Sequence, residues 1–326
     1  MLGEFELIAR YFAPLARGAP GAYGLLDDAA VIAPRPGHEL VAKTDAIVGG
    51  VHFLADDPPQ LVARKALRVN LSDLAAKGAV PRAYLLDLML PPAIGEAWIA
   101  DFARGLSQDQ AQYGVHLIGG DTDCTTGPAT VAVMALGEVP VGRMIRRSGA
   151  RAGDFVFVTG TIGDAVLGLE ALRGRLSGLE ASFLVERYRL PQPRVELGPR
   201  LMGVANAAID VSDGLVADLG HICEVSGLAA TIEAASVPLS GSARQALAHA
   251  DACIDALLTG GDDYEILFTT GAERASVIAA LAEDAGVPIT AIGRMHALQP
   301  GGEPRVAVLD ASGNPLSLPR TGWTHF

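Results

Sequence analysis

The order of apolar segments is the feature that most constrains the fold. A glycine-rich, basic stretch at residues 142–153 divides the chain into two halves. Each half mixes strand-like and helix-like segments, and neither shows the strict strand–helix alternation of a doubly wound sheet. The length of 326 residues also fits two domains of roughly 100–200 residues each. We therefore predict an α+β chain of two α/β domains, residues 1–149 and 150–326.

Periodicity and turn residues place the elements of each half. In the first half we predict helices at residues 4–13, 57–77 and 94–113, and strands at 29–33, 40–44, 83–90, 115–118 and 130–136. In the second half we predict strands at residues 155–159, 209–211, 230–233, 265–269 and 306–309, and helices at 164–172, 182–189, 194–205, 212–226 and 274–285.

Charge and composition narrow the classes of function. The net charge of −12 disfavours a binder of duplex nucleic acid, which usually carries a basic face. No apolar run is long enough for a membrane-spanning helix. The acidic N-terminal segment, with Glu4 and Glu6, does not resemble a signal peptide. The three cysteines have no CxxC spacing, which is typical of a reducing compartment, so we expect a cytoplasmic enzyme that binds neither nucleic acid nor membrane.

A set of aspartates beside glycines or small residues carries the strongest chemical signal. Its members are Asp27, Asp28, Asp45, Asp73, Asp121, Asp123, Asp210, Asp213, Asp262 and Asp263. For any single one, a turn or helix cap is the simpler interpretation. Several directly follow predicted strands, and strand ends can converge on one cleft. Clustered carboxylates repel one another and are suited to Mg²⁺, which in turn binds substrate phosphates. The set therefore points to phosphoryl transfer, although the chain has no P-loop, protein-kinase or GxGxxG motif.

Other segments leave two interpretations open. Asp73 lies on a helix that the pattern predicts to be buried, so it needs a partner, either a metal ion or Arg68 or Lys77. The arginines around Arg147 suit either nucleotide phosphates or a solvated linker. The glycines of residues 160–163 could cradle a phosphate at a helix N-terminus or form an ordinary turn. His52 is either a substrate contact or a packed side chain.

The chain resembles the thiamine-monophosphate kinase family, within the aminoimidazole-ribonucleotide-synthetase-like superfamily. The matching motifs run nearly end to end: residues 3–12, 27–31, 44–45, 51–53, 65–76, 119–122, 147–150, 158–161, 210–215, 260–265 and 322–323. The resemblance implies ATP-dependent phosphorylation of thiamine monophosphate to thiamine diphosphate, by direct transfer with several Mg²⁺ ions. It also implies a homodimer, with a barrel-like interface formed by the N-terminal domains and a C-terminal α/β sandwich domain that completes the active site.

The resemblance further implies roles for individual residues. The metal ligands would be Asp28, Thr44, Asp45, Asp73, Asp121, Asp210 and Asp213. Gly120, Asp121, Arg147 and Ser212 would contact ATP, and His52, Asp262 and Trp323 would line the thiamine phosphate pocket. No residue is expected to act as a general acid or base, because positioning and metal electrostatics supply the catalysis.

Three positions depart from the family pattern. Leu26 stands where a glycine usually precedes the two aspartates, and Asp262 replaces a longer glutamate. Lys43 stands where the family often has a serine metal ligand. Because a charged lysine cannot ligate a metal, we expect one ion to be lost or moved.

Two further hypotheses follow from the sequence. The chain could share the fold but act on another substrate, such as a purine intermediate, selenide or a hydrogenase maturation intermediate. Alternatively, it could be a non-catalytic protein whose aspartates bind cations for structural purposes only.

Overall fold

The computed structural model describes residues 3–176, 181–249 and 252–323, and the chain divides into two compact units. Unit 1 comprises Met1–Leu74 and Ala79–Gly142, and unit 2 comprises Ala75–Gly78 and Arg143–Phe326. Both units combine a sheet with helices, which confirms the predicted α+β class. Among the helices of the described residues, none has both the length and the apolar character that crossing a bilayer requires.

Unit 1 is built on a four-stranded sheet with the order β1-β4-β2-β3. Its strands are β1 (His38–Val48), β2 (Val80–Leu90), β3 (His116–Cys124) and β4 (Thr130–Pro140). Its helices are α1 (Glu4–Leu7), α2 (Pro59–Ala76) and α3 (Glu96–Tyr113). The pairs β1–β4 and β2–β4 are antiparallel, whereas β2 and β3 run parallel. The helix α3 ends at Gly114, whose left-handed φ of 65° suits glycine as a helix terminator.

The two faces of this sheet differ in burial because side chains alternate along a strand. On β1, Val41 and Ile47 are buried, whereas Leu40, Ala42, Thr44 and Ala46 are exposed. Lys43 and Asp45 therefore share the face of Val41 and Ile47, and Thr44 lies on the open face. On the neighbouring strand, Met134 also lies on the open face, directly opposite Thr44.

Unit 2 contains a six-stranded sheet with the order β10-β7-β9-β5-β8-β6. The strands are β5 (Phe155–Thr159), β6 (Ala207–Asp210), β7 (Leu228–Glu233), β8 (Ile266–Thr270), β9 (Ile289–Ala297) and β10 (Val306–Leu309). The helices are α4 (Asp164–Leu172), α5 (Ser182–Arg189), α6 (Leu215–Ser226), α7 (Gly241–Ala248), α8 (Ile254–Thr259) and α9 (Ala275–Ala285).

Apolar packing covers both faces of the second sheet. Val156 and Val158 of β5 pack into a core with Leu219 of α6, whereas Phe157 packs on the other side with Ile278 of α9. The rings of Phe157 and Phe268 stack with centroids 5.4 Å apart. A sheet buried on both sides requires apolar residues at successive positions, which explains the continuous apolar run of β5.

Several sequence predictions are corrected. Residues 29–33 form no strand. The predicted helix at 194–205 is reduced to one 3₁₀ turn, Gly198–Leu201, because Pro199 lies inside the range and has no backbone N–H to donate. The N-terminal helix is α-helical only over Glu4–Leu7 and continues as a π-helix. Strand β9 and helices α7 and α8 were not predicted, because their mixed composition gives no clear period.

Candidate active site

Lys43, Asp45 and Asp73 form a charged cluster on the covered face of the first sheet. The Lys43 Nζ lies 3.1 Å from Asp45 Oδ1 and 2.9 Å from Asp73 Oδ2. Asp73 comes from α2 and is 9% exposed. The sequence left a metal ion or one of Arg68 and Lys77 open as the partner of Asp73, and neither alternative included the Lys43 that the structure places there. Arg68 binds Asp109 at 2.7 Å, and Lys77 donates to a backbone carbonyl instead.

The cluster shifts the pKa values of two of its members. Burial raises the pKa of Asp45, the neighbouring Asp73 charge acts in the same direction, and Lys43 opposes both. Burial also acts against the charged form of Lys43, but the two carboxylates outweigh it and raise the pKa of its ammonium group. Lys43 is therefore a positive charge held by two acidic groups.

A second group of predicted ligands lines a cavity in unit 1. The cavity has a volume of about 320 Å³, and Asp28, Gly120 and Asp121 lie in its wall together with Phe5 and Phe12. Gly120 has a φ of 147°, and a Cβ built on it would lie 1.8 Å from the Leu86 carbonyl oxygen, so no side chain fits there. The strand β3 can therefore approach β2 closely at the cavity wall.

The two groups in unit 1 lie at opposite edges of the sheet, because β1 and β3 are its outer strands. Asp45 pairs with Val133, Val133 with Leu86, and Leu86 with Gly120, so one row crosses the sheet. Three strand spacings correspond to roughly 14 Å between the ends of this row. Asp45 and Asp121 also lie within strands, not beyond their ends as the sequence indicated, because β-pairing continues past the apolar residues.

Thr44 and His52 are placed differently from the carboxylates. Thr44 points to the open face, so only its backbone could contact an ion held by Asp45. His52 follows β1, and its Nδ1 accepts a hydrogen bond of 3.1 Å from the Val48 N–H. The Lys65 Nζ donates to the His52 carbonyl oxygen at 2.9 Å. The loop that carries His52 is thus fixed from both sides.

In unit 2, Asp210 ends β6 and is 3% exposed, and the next residues form a loop before α6. One carboxylate oxygen of Asp218, in the first turn of α6, organises this loop. It accepts hydrogen bonds from the backbone N–H groups of Ser212, Asp213 and Gly214 at 3.0, 3.1 and 3.2 Å. Burial raises the pKa of Asp218 to about 7, and the charge of Asp213 adds to this effect, while the N–H donors oppose it.

Two distant segments join the same loop of unit 2. The Asp262 N–H donates to the Ser212 carbonyl oxygen at 2.9 Å, and the Trp323 N–H donates to the Asp213 carbonyl oxygen at 2.9 Å. Asp262 has a φ of 71°, a left-handed conformation, and the Tyr264 hydroxyl donates to its side chain at 3.1 Å. The structure therefore brings together residues expected to bind nucleotide, metal and thiamine phosphate.

Two further segments were considered as phosphate contacts, the arginine at position 147 and the glycine loop at residues 160–163. The Arg147 side chain is exposed, in line with either interpretation of the basic stretch. The glycine loop at residues 160–163 is not a phosphate cradle. The Asp263 carboxylate already accepts the Gly163 N–H, at 2.9 and 3.0 Å, and the Gly160 and Ile162 N–H groups donate to backbone carbonyls. Burial raises the pKa of this enclosed Asp263 well above its usual value.

Sequence reasoning missed two residues that shape the site. The role of Asp218 could have been predicted, because an acidic residue in the first turn of a helix commonly accepts hydrogen bonds from free backbone N–H groups. Tyr264 gave no signal, because its contact with Asp262 depends on left-handed backbone conformations at both residues, with Tyr264 at a φ of 52°.

The metal ligands proposed from the sequence offer only oxygen atoms, and such a set of ligands fits Mg²⁺ better than a softer metal. Ligand atoms of Asp213, Asp218 and His221 also lie within 4.8 Å of one another, but one Asp218 oxygen already serves the loop backbone. The pair Asp45–Asp73 differs from the other carboxylates because a lysine lies between its members.

Comparisons with known proteins agree with this architecture. The family model for the N-terminal domain of AIR synthase related proteins matches residues 26–139. The thiamine-monophosphate kinase of Caulobacter vibrioides is 43% identical over 99% of this chain and 90% of its own length. The crystal structure of thiamine-monophosphate kinase from Stenotrophomonas maltophilia is 40% identical, with a TM-score of 0.81 over 91% of this chain and 96% of that one. AaThiL complexed with AMPPCP and TMP is 32% identical, with a TM-score of 0.78 over 94% of this chain and 97% of that one.

Proposed function

The chain belongs to the thiamine-monophosphate kinase family, and on that premise we propose that it transfers the γ-phosphoryl group of ATP to thiamine monophosphate. The product is thiamine diphosphate. A relative that shares 32% of its residues was solved with AMPPCP, an ATP analogue, and TMP, which supports a site for both substrates. Full-length identity of 43% to a kinase supports the same reaction.

The observation that carries the proposal is the loop cluster of unit 2. Ser212 is the residue proposed to contact ATP, Asp213 to hold a metal ion, and Trp323 to contact thiamine monophosphate. Hydrogen bonds between backbone groups join Ser212 to Asp262 and Asp213 to Trp323. Such bonds hold the groups that bind donor and acceptor at fixed separations, and alignment of the reactants is a large part of phosphoryl-transfer catalysis.

We propose Mg²⁺ as the metal. Asp28 and Asp121 are its proposed ligands in unit 1, and Asp210 and Asp213 its proposed ligands in unit 2. Asp45, Asp73 and Thr44 are further ligands that the family resemblance implies, although in this chain Lys43 lies between the two carboxylates. Bound Mg²⁺ neutralises phosphate charge and orients the phosphates for in-line transfer. Gly120 lines the cavity next to Asp121, where its backbone can contact a phosphate, and the exposed Arg147 provides a planar guanidinium for another.

The chain's own residues explain why no general base is required. The acceptor is a phosphate oxygen, which is already ionised near neutral pH, so no proton has to be removed from it. Asp262 and His52 are proposed to orient thiamine monophosphate, and the hydrogen bond from the Val48 N–H to the Nδ1 of His52 fixes the orientation of the imidazole ring. Trp323, whose side chain is 51% exposed, offers a ring on which the thiamine can pack.

The domain organisation and assembly are part of the proposal. Residues 1–149 would bind ATP and Mg²⁺ and form the dimer, and residues 150–326 would complete the site. The open face of the first sheet exposes Leu40 and Met134 together with smaller side chains, and pairing with a second copy would remove this apolar surface from water. We also propose a cytoplasmic location, which the three free cysteines support.

The test is to incubate the purified protein with ATP, Mg²⁺ and a panel of acceptors, and to score ADP release. Thiamine monophosphate is expected to be the best acceptor, and a purine intermediate that outperforms it would favour the related activity. The variants Asp210→Asn and Asp73→Asn distinguish a kinase from a non-catalytic protein that binds cations only for structural purposes. A kinase yields folded variants with much reduced turnover, whereas a protein with structural cations yields variants of lower thermal stability and a wild type without turnover.

A further inference from the structure

A lysine side chain lies where two carboxylates meet on the covered face of the first sheet. The Lys43 Nζ is 2.9 Å from Asp73 and 3.1 Å from Asp45. Lys43 and Asp45 are two positions apart on β1, so their side chains share a face, and Asp73 reaches the same point from α2. The Lys43 side chain is only 29% exposed and the Asp73 side chain 13% exposed, so solvent screens these contacts incompletely.

The ammonium group of Lys43 and a Mg²⁺ ion cannot both occupy the space between Asp45 and Asp73. An ammonium group is a compact point charge that donates three hydrogen bonds, and here two of them serve Asp45 and Asp73. Mg²⁺ would need oxygens of the same carboxylates at about 2.0–2.1 Å. An ion so placed would face the positive charge of Lys43 at close range. The cluster of Lys43, Asp45 and Asp73 carries a net charge of −1 when all three groups are ionised, whereas the two carboxylates alone would carry −2.

Lysine is rare in this chain, which has three lysines among its 25 basic residues. Lys65 and Lys77 donate to the carbonyl oxygens of His52 and Ala208. Lys43 faces the side chains of Asp45 and Asp73. An arginine would present a wide planar fork at this point, whereas an ammonium group fits between two single oxygen atoms.

We propose that the Lys43 ammonium group takes the place of a divalent cation between Asp45 and Asp73. This chain therefore binds one Mg²⁺ fewer at that pair than it would with a small neutral residue at position 43. The inference rests on the proposed function only in treating Asp45 and Asp73 as metal ligands. Lys43 is a positioning residue that fixes the two carboxylates before nucleotide or metal arrives.

The direct test counts bound Mn²⁺, used as a spectroscopic probe, by electron paramagnetic resonance of the free ion. The full chain is titrated with MnCl₂ without nucleotide. Lys43→Ser and Lys43→Ala are expected to bind one Mn²⁺ per chain more than the wild type, and the double variant Lys43→Ser with Asp73→Asn is expected to lose that extra ion. Equal counts in the wild type and both single variants would overturn the proposal.

A matched control separates local from general effects of charge. Arg82 also belongs to unit 1 and pairs with Glu138 at 3.5 Å, with a side chain 43% exposed. Arg82→Ser removes one positive charge and is expected to leave the Mn²⁺ count unchanged. If Arg82→Ser gained an ion as Lys43→Ser does, the gain would reflect net charge and the proposal would be wrong.

Thermal unfolding gives a second test of metal binding, and this test works even if the Lys43→Ser variant is unstable without metal. A ligand that binds only the folded state raises the unfolding midpoint. Saturating Mg²⁺ is therefore expected to raise the midpoint of Lys43→Ser by several degrees more than that of the wild type, or to restore folding if the variant is unfolded without metal. An equal or smaller rise overturns the proposal. Neither measurement uses ATP or thiamine monophosphate, so failure here and failure of the kinase assay are distinguishable.

Discussion

The backbone N–H of Trp323 donates a 2.9 Å hydrogen bond to the carbonyl oxygen of Asp213. This bond connects the C-terminal segment to the loop that precedes α6. Gly322 permits the approach, because a Cβ at that position would lie 2.4 Å from the Ala217 Cβ and 2.7 Å from the Asp213 carbonyl oxygen. A residue proposed to contact thiamine monophosphate is thereby held beside a proposed metal ligand.

Trp323→Ala is expected to weaken binding of the acceptor without unfolding the protein. The side chain is half exposed, and the backbone hydrogen bond to Asp213 does not need it. Loss of a stacking ring costs about 1 kcal/mol or slightly more, so the KM for thiamine monophosphate should rise roughly five- to tenfold while the KM for ATP stays nearly constant. Steady-state kinetics with each substrate varied in turn measure both values. Trp323→Phe should retain most of the affinity, and an equal rise in both KM values would argue against a role in acceptor binding.

Gly261→Ala is expected to impair both stability and activity. A Cβ on Gly261 would lie 2.2 Å from the Ser212 carbonyl oxygen, so the segment carrying Asp262 would have to move away. Overpacking of this kind costs about 1–3 kcal/mol. Gly220→Ala on α6 is the matched control, because nothing lies within 4 Å of its Cβ. It should stabilise the helix by about 0.5–1 kcal/mol. Denaturant unfolding of both variants checks the contrast, which equal effects would contradict.

Asp218→Ala should reduce turnover more than Asp218→Asn. The alanine variant leaves three N–H donors of the loop without the carboxylate oxygen that accepts their hydrogen bonds, whereas asparagine retains an acceptor at the same position. We expect the alanine variant to lose at least tenfold in kcat and the asparagine variant to recover much of it. Rapid-quench measurement of thiamine diphosphate formation gives kcat directly. Identical losses in the two variants would show that the charge, and not the acceptor, matters.

Glu138 should make the stability of unit 1 sensitive to acid. Burial acts against its carboxylate, but the contacts with Arg35, at 2.6 Å, and with Arg82 outweigh it and lower the pKa below the usual 4.5. A depressed pKa in the folded state means that the stabilisation is complete above pH 4.5 and is lost as the pH falls through the lower folded value.

The corresponding variant is Glu138→Gln, which should lower the free energy of unfolding at pH 7 by about 1–3 kcal/mol. Because protonation of Glu138 in the wild type removes the same interaction, the difference between the two proteins should shrink as the pH falls below 4.5. Urea unfolding at several pH values between 7 and 3 measures it. A difference that stays constant across this range would contradict the assignment.

The sequence predicted much of the fold because several elements carry strong local signals. The strand Phe155–Thr159 and the helix Asp164–Leu172 were predicted to the residue, since an apolar run and a glycine turn delimit them. The aspartates were likewise recognisable by their small neighbours. Their spatial grouping was not, because it depends on which strands are neighbours. The order β1-β4-β2-β3 places Asp45 and Asp121 on opposite edges, and no local pattern encodes that order.

The partner of Asp73 was unpredictable for a similar reason. The sequence offered Arg68 and Lys77, which are close along the same helix, whereas the structure uses Lys43 from a strand. Trp323 and Asp213 also belong to segments that only the tertiary fold brings together. Local periodicity therefore located the helices and strands, and long-range packing determined which side chains meet.

The most direct measurement of the central claim is the stoichiometry of phosphoryl transfer from ATP to thiamine monophosphate. With γ-labelled ATP and Mg²⁺, we expect one label to appear in thiamine diphosphate for each ADP formed. We also expect EDTA to abolish the transfer and Asp213→Asn to reduce it strongly. ADP formation without label in thiamine diphosphate, or transfer that persists in EDTA, would contradict it.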